Sequence, residues 1–163
     1  MLFLKLWYHF CALINKAFYK IIYGKKLKFG RKVTWRKNIS FMINKNAVVK
    51  IGDNCFFNNN CSINANEEII IGNDCLFGEN VKIYDHNHRF NKAFECISKQ
   101  GFSNAPVVIG NNCWIGSGVV ILKGTNIKDN CVIGAGCVVQ GEIPSEMVVK
   151  KSESLIYEKI RWE

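Results

Sequence analysis

No Cys-x-x-Cys pair occurs among the eight cysteines of this chain, which also has only three histidines. Zinc sites use closely spaced cysteine and histidine pairs, so the sequence predicts no metal site. A basic region followed by heptads, a zinc-finger pattern and an RNA-binding aromatic motif are missing too, which argues against specific nucleic-acid recognition. The net charge of +9 suits nucleic acid, anionic lipid or a phosphorylated cofactor, and charge alone does not choose among them.

Residues 1–22 lack the features of a membrane span or a signal peptide. Lys5 and Lys16 enclose only ten residues, too few to cross a bilayer, and no small-residue cleavage site follows. The segment instead predicts a basic amphipathic helix. Its polar stripe contains Lys5, His9, Lys16 and Lys20. Its apolar face contains Leu2, Phe3, Leu4, Trp7, Phe10, Ile14 and Phe18.

Two interpretations of this helix stay open. The apolar face can lie in a membrane interface, with the lysines near anionic headgroups. It can equally cap the rest of the domain or meet another subunit. In either case His9, as a member of the polar stripe, is expected to be solvated.

A six-residue repeat runs through the middle of the chain. Large apolar residues recur at Ile51, Phe57, Ile63, Ile71, Phe77, Ile83, Ile109, Ile115, Ile121, Ile127, Ile133 and Val139. This period fits neither the 3.6 of a helix nor simple strand alternation, and it predicts an all-β solenoid in which each hexad forms one short strand and one corner. A compact residue, often cysteine, comes four places later, so most cysteines are expected to be small buried hydrophobes in a reducing cytoplasm.

The Ile-Gly-x-x-x-x hexads resemble those of the hexapeptide-repeat acyltransferases. The resemblance covers residues 27–149 and implies a left-handed parallel β-helix, in which three hexads form a rung and residues eighteen apart stack, as Cys113 and Cys131 would. It also implies a homotrimer with active sites between neighbouring subunits. Residues 1–26 then form the N-terminal helical segment, and residues 150–163 predict a short C-terminal helix packed on the last rung.

The repeat stops at Tyr84 and returns at Val108 or Ile109, leaving an excursion over residues 85–107. The stretch Ile-Tyr-Asp-His-Asn-His at 83–88 and the Trp-Ile-Gly motif at 114–116 resemble the O-acetyltransferases of O-antigen and capsule. They are also similar to the maltose and galactoside acetyltransferases. The resemblance implies a cytoplasmic enzyme, or one at the inner face of the plasma membrane, that transfers acetyl from acetyl-CoA to a sugar hydroxyl of a surface polysaccharide or its lipid-linked precursor.

The resemblance places the catalytic base of those enzymes on His88. A neutral imidazole can take a proton from a sugar hydroxyl near neutral pH. His86 projects to the same side of an extended chain, where it could contact the acceptor or replace His88 as base. Asp85 could orient an imidazole, contact the acceptor, or simply cap the turn.

The resemblance also marks candidate positions for both substrates. For CoA these are Trp114, Ser117, Ala135 and Gln140, with Lys150 or Lys151 supplying charge because Leu155 stands where relatives have a basic residue. For the carbohydrate they are Asn58 and Asn60, since amides both donate and accept hydrogen bonds, and Asn66 stands where those relatives have an acidic residue. Ser117, Ala135 and the asparagines would also suit ordinary solenoid corners.

Two rival functions are also compatible with the sequence. The altered segment after Pro144 would suit a non-catalytic solenoid that serves as an assembly or binding module. Catalysis on an amino sugar or on serine would use the same histidines and the same cofactor positions.

Overall fold

The computed structural model describes residues 2–151, with side chains from residue 7 onward. It begins with helix α1 (Leu2–Tyr23) and a 3-10 turn (Gly24–Lys26), followed by a coil of short parallel strands. This coil is the predicted left-handed β-helix of hexapeptide repeats. The C-terminal helix predicted for residues 150–163 falls outside the described residues from position 152 on.

The strands form three parallel sheets, one on each side of the coil. The first sheet contains β1 (Leu27–Phe29), β4 (Val48–Ile51), β7 (Glu68–Ile71), β12 (Val107–Ile109), β15 (Asn126–Ile127) and β18 (Glu142–Ile143). The second contains β2 (Thr34–Trp35), β5 (Phe56–Phe57), β8 (Leu76–Phe77), β13 (Trp114–Ile115), β16 (Val132–Ile133) and β19 (Val148–Val149). The third contains β3 (Ser40–Ile43), β6 (Ser62–Ala65), β9 (Lys82–Tyr84), β14 (Val120–Ile121) and β17 (Val138–Val139). A separate antiparallel hairpin contains β10 (His86–His88) and β11 (Phe102–Asn104).

The length of a rung changes along the coil. Trp114 pairs with Val132, the predicted spacing of eighteen, which confirms the stacking of Cys113 on Cys131. In the first two rungs the spacing is larger, because Leu27 pairs with Val49 and Val49 with Ile69. Strands β3, β4, β6 and β7 have four residues each, whereas later strands have two or three. The early rungs therefore contain more residues.

The repeat residues fill the core as predicted. All of the large apolar repeat residues from Ile51 to Val139 are buried, and the rings of Phe57 and Phe77 stack with their centroids 4.3 Å apart. All eight cysteines are free thiols. The six in the repeat are buried, whereas Cys96 is exposed and Cys11 is half-buried. Burial raises the pKa of the Cys61 thiol, which keeps it in the neutral form expected of a small buried hydrophobe.

Glycine in the repeat allows neighbouring rungs to approach closely. A Cβ at Gly72 would lie 2.6 Å from the carbonyl carbon of Gly110 in the next rung, so any side chain there would push the rungs apart. Residues other than glycine take the left-handed backbone positions of this corner, among them Asn112 with φ of 52° and Asn130 with φ of 60°. Asparagine tolerates this conformation better than most residues.

Helix α1 caps the first rung, whose carbonyl groups have no earlier rung to bond. The Tyr19 hydroxyl donates to the carbonyl of Ile39 at 2.9 Å, and the Tyr23 hydroxyl donates to that of Phe41 at 2.7 Å. The Lys16 ammonium donates to the carbonyl of Val33. Burial, followed by the charge of Lys20, lowers the pKa of Lys16. Side chains of the helix, rather than another strand, therefore donate hydrogen bonds to carbonyl groups at this end of the solenoid.

The orientation of α1 corrects one expectation. Lys16 of the polar stripe lies against the solenoid, whereas Phe10 and Phe18 of the apolar face are exposed, so the apolar face does not cap the rest of the domain. The reason is that the open edge of the solenoid offers carbonyl oxygens, which attract donors more than an apolar face. His9 is exposed, as expected, with its Nδ1 3.1 Å from Oγ1 of Thr34. No helix among residues 2–151 combines the length and the hydropathy that a bilayer span requires.

The capping bonds predict a measurable contribution to stability. We expect Tyr19→Phe and Tyr23→Phe each to lower the free energy of unfolding by about 0.5–1.5 kcal/mol, because each leaves one first-rung carbonyl without its donor. Tyr8→Phe is the matched control, since the Tyr8 hydroxyl has no hydrogen-bond partner among the described residues. Urea denaturation measures all three. Unchanged midpoints for Tyr19→Phe and Tyr23→Phe would contradict the capping role.

Candidate active site

The predicted excursion is an ordered hairpin rather than an open loop. Strands β10 and β11 pair antiparallel, with His86 opposite Asn104 and His88 opposite Phe102. The far part of the excursion is tied together by Gln100, whose buried amide bonds to backbone groups of Lys92 and Glu95. The two histidines are therefore carried on a paired strand that leaves the solenoid wall directly after β9.

Asp85 anchors the base of this hairpin. The residue is fully buried, and its carboxylate accepts hydrogen bonds from the backbone N–H groups of Asn66 at 2.8 Å and Glu67 at 2.7 Å. The same carboxylate bonds Nδ1 of His86 at 2.9 Å, and the Asp85 carbonyl accepts the N–H of Ala105 at 2.8 Å. One side chain thus links the corner of the preceding rung to the point where the excursion departs.

The two histidines have different surroundings. His86 is held by Asp85 through Nδ1, its ring meets Tyr84 and Phe102 edge to face, and 18% of its side chain is exposed. His88 is exposed, and its ring lies beside Phe102 with the centroids 4.6 Å apart. Neither ring nitrogen of His88 has a hydrogen-bond partner among the described residues. His86 is thus fixed in place, whereas His88 can use both nitrogens on a substrate.

Both histidines line one cleft of about 540 Å³ at the first rungs of the solenoid. The other lining residues are Tyr23, Met42, Ile43, Asn44, Asn64, Ala65, Asn66, Tyr84 and Phe102. None of these eleven side chains carries a fixed charge. The cleft therefore combines neutral amides, aromatic rings and two imidazoles.

The amides of the cleft are partly those that the sequence singled out. Asn66 lines the cleft and accepts a hydrogen bond from Asn44 at 3.2 Å. Asn58 and Asn60 are absent from its lining, and Asn60 accepts from Asn38 at 3.0 Å at a corner of the coil. Their acceptor role stays a prediction. Asn44 and Asn64 were missed, although each directly follows a large apolar residue, Ile43 and Ile63, in stacked rungs.

The predicted cofactor residues are divided between two corners of the coil. Ser117 and Ala135 occupy stacked turns, in which the N–H of Gly136 donates to the Ser117 carbonyl at 2.9 Å. The Lys150 backbone lies in the rung beyond, next to Gly134, and the exposed Trp114 ring lies on the adjoining strand β13. Lys151 follows Lys150 and is exposed.

Gln140 lies at the other corner, below the histidine hairpin. Its amide donates to the Lys123 carbonyl at 3.3 Å, and the Lys123 ammonium in turn bonds the hydroxyl of Ser103 on β11. The structure therefore places Gln140 on the side of the histidines and Ser117, Ala135 and Lys150 on the far side of the third sheet. The cofactor roles of all these residues stay predictions.

Comparison with known proteins agrees with this architecture. Residues 106–141 match the family model described as bacterial transferase hexapeptide (six repeats). These residues carry the hexapeptide repeat of bacterial transferases. A Saccharomyces cerevisiae protein, YJL218W, is named as a candidate acetyltransferase and is 36% identical over 113 residues, which cover 69% of this chain and 56% of that protein.

Two solved structures of acetyltransferases are also similar. A galactoside acetyltransferase in complex with coenzyme A is 30% identical with a TM-score of 0.69, and the alignment covers 82% of this chain and 63% of the other. A maltose O-acetyltransferase from Clostridium difficile is 32% identical with a TM-score of 0.53, covering 76% of this chain and 61% of that one. The chain thus spans less than two thirds of the length of each of these relatives.

Proposed function

We propose that this protein is an acetyl-CoA-dependent O-acetyltransferase that acts on a sugar hydroxyl of a surface polysaccharide or its lipid-linked precursor. The observation that carries the proposal is the cleft at the histidine hairpin, where two imidazoles face three amides and no charged side chain. A site for acyl transfer to a neutral hydroxyl needs a base near neutrality and uncharged hydrogen-bonding groups. Similarity to maltose and galactoside acetyltransferases supports the same class of acceptor.

The chemistry of the lining favours a carbohydrate. Asn44, Asn64 and Asn66 can each donate and accept hydrogen bonds, as a sugar hydroxyl also does. The rings of Tyr84 and Phe102 offer flat apolar surface for the C–H face of a sugar. A phosphorylated or carboxylated group bound among these residues would find no fixed positive charge, so a neutral sugar unit is the best match.

His88 is the proposed general base. It accepts the proton of the sugar hydroxyl as the oxygen attacks the thioester carbonyl, and as imidazolium it returns that proton to the departing CoA thiolate. The exposed ring, with neither nitrogen bonded to a residue that the structure describes, suits a group that must reach a bound substrate. His86 has its Nδ1 occupied by Asp85 and is mostly buried, so its proposed role is to position the hairpin and contact the acceptor.

The division of the cofactor residues supports a site between subunits. His88 and the Ser117 corner lie on opposite edges of the third sheet of one chain, so a single chain presents the base at one edge and the predicted CoA contacts at the other. In a homotrimer, the His88 edge of one copy can face the Ser117 corner of the next. We propose this arrangement, with Trp114 lining the acyl-donor channel and Lys150 or Lys151 near the CoA phosphates.

The proposal is tested by incubating the purified protein with radiolabelled acetyl-CoA and a panel of acceptors. The panel contains neutral oligosaccharides, an amino sugar and serine, with hydrolysis in buffer as the blank. We expect label on a neutral oligosaccharide in a bond that mild hydroxylamine cleaves, as an ester requires. Label only on the amino sugar, in a bond that hydroxylamine leaves intact, would indicate N-acetylation. Absence of transfer to every acceptor would favour a non-catalytic solenoid.

A further inference from the structure

Helix α1 leaves an apolar face uncovered on the side away from the solenoid. The inner face, with Ala12, Tyr19 and Tyr23, packs on the first rung. The outer face contains Trp7, Phe10, Leu13, Ile14, Phe18, Ile21 and Ile22, whose exposed fractions lie between 51% and 83%. We call these seven residues the outer face. So many large apolar side chains together on one helix mark an interaction surface rather than scattered exposure.

The end of the molecule that carries the outer face is strongly basic. Residues 1–50 include twelve of the 22 lysines and arginines and none of the 13 aspartates and glutamates. Lys20, Lys25 and Lys28 are exposed, and none of them forms an ion pair with a described residue. The remainder of the chain carries a slight negative excess. The positive charge of the protein is therefore concentrated around α1.

We propose that the outer face docks on the surface of a bilayer rich in anionic lipid, with α1 lying in the plane of the interface. Large apolar residues on one side of a helix and nearby lysines are the two features that such binding uses. A second copy of the chain would have to bring two strongly basic ends together, which their mutual repulsion opposes. An acidic surface satisfies both the apolar face and the lysines.

The cleft opens at the same end of the protein. Tyr23, the last residue of α1, lines the cleft, as do Met42, Ile43 and Asn44 of the first rung. A sugar carried on a membrane lipid would thus reach the histidines while α1 rests on the bilayer. This consequence rests on the proposed function, whereas docking itself does not depend on catalysis.

Vesicle sedimentation with the full chain tests the docking. The vesicles contain phosphatidylcholine alone or with about one third phosphatidylserine. We expect the protein to pellet with the anionic vesicles, to bind neutral vesicles at least tenfold more weakly, and to be released by high salt. Lys20→Glu should weaken binding by about fivefold or more, since each lysine near an anionic surface contributes about that factor.

A matched pair of double variants tests whether vesicle binding depends on the outer face or on any exposed apolar side chain. Phe10→Glu with Phe18→Glu alters the outer face, and Phe90→Glu with Phe94→Glu makes the same change at two exposed phenylalanines of the hairpin. We expect the first pair to abolish pelleting and the second to retain it. Circular dichroism confirms that each variant is folded.

Three outcomes would overturn the proposal. In the first, wild-type protein stays in solution with anionic vesicles. In the second, the two double variants pellet equally. In the third, the wild type binds no vesicles and the Phe10→Glu, Phe18→Glu variant loses an oligomer that the wild type forms. The last would assign the outer face to a second copy. Acetylation of a soluble acceptor, measured in parallel, should be unchanged in the outer-face variant, which keeps failure of docking distinct from failure of the proposed function.

Discussion

Replacing His88 by alanine is expected to lower kcat by about 10²–10⁴-fold, the usual contribution of a general base. The sugar hydroxyl would then have to lose its proton to water, because His88 is the exposed imidazole of the cleft. KM for the acceptor should change much less, since the amides that bind it remain. Steady-state rates with a saturating oligosaccharide acceptor measure both quantities.

His86→Ala and Asp85→Asn are the controls for this assignment. Both disturb the contacts that hold the base of the hairpin, so we expect a smaller loss of kcat than in His88→Ala, together with a higher acceptor KM. A larger loss in His86→Ala than in His88→Ala would move the base to His86, with Asp85 as its orienting carboxylate. A His88→Ala variant as fast as the parent would contradict a base role for His88.

Phe77→Ala is expected to lower the free energy of unfolding by about 3–5 kcal/mol. Phe77 is buried in the second sheet and stacks on Phe57 with nearly parallel rings, 10° apart. Alanine would leave a cavity between two rungs that are fixed by their backbone ladders and cannot collapse. Because each rung rests on its neighbours, the effect should reach the whole solenoid.

Leu76→Ala is the matched control for Phe77→Ala. Leu76 precedes Phe77 on β8, and its side chain is half exposed, so we expect a change of about 0.5 kcal/mol or less. Urea denaturation at one protein concentration compares the two midpoints and slopes. A cost below about 1 kcal/mol for Phe77→Ala would show that the rung can close around the missing ring.

The periodic part of the fold was predictable because its signal is local. The repeat from Ile109 to Val139 has no interruption, so its strands, buried residues and rung spacing follow directly from the sequence. The rungs before Ile71 differ because their four-residue strands lengthen the turn of the coil. The orientation of α1 could not be predicted from the sequence, because it depends on the carbonyl groups of Val33, Ile39 and Phe41. Backbone groups do not contribute to a hydrophobic pattern.

The sequence predicted which residues belong to the candidate site better than it predicted how they are arranged. His86 and His88 could be placed on one side of an extended strand, and the structure gives them one cleft. The contacts of Asp85 with Asn66 and Glu67 join residues eighteen and nineteen positions apart, and they require the register of two rungs that are longer than the standard spacing. Asn44 and Asn64 were missed for the same reason, since only the stacking of β3 on β6 brings them together.

The cap formed by α1 also decides whether the solenoid has a free end. Without Lys16, Tyr19 and Tyr23, the first rung would present three strand edges with unpaired carbonyls, the surface on which another parallel strand adds most readily. Another chain would then be able to pair with these open edges. Deletion of α1 therefore changes colloidal behaviour as well as any membrane contact, and substitutions confined to the outer face, which leave the cap intact, are the cleaner way to separate the two.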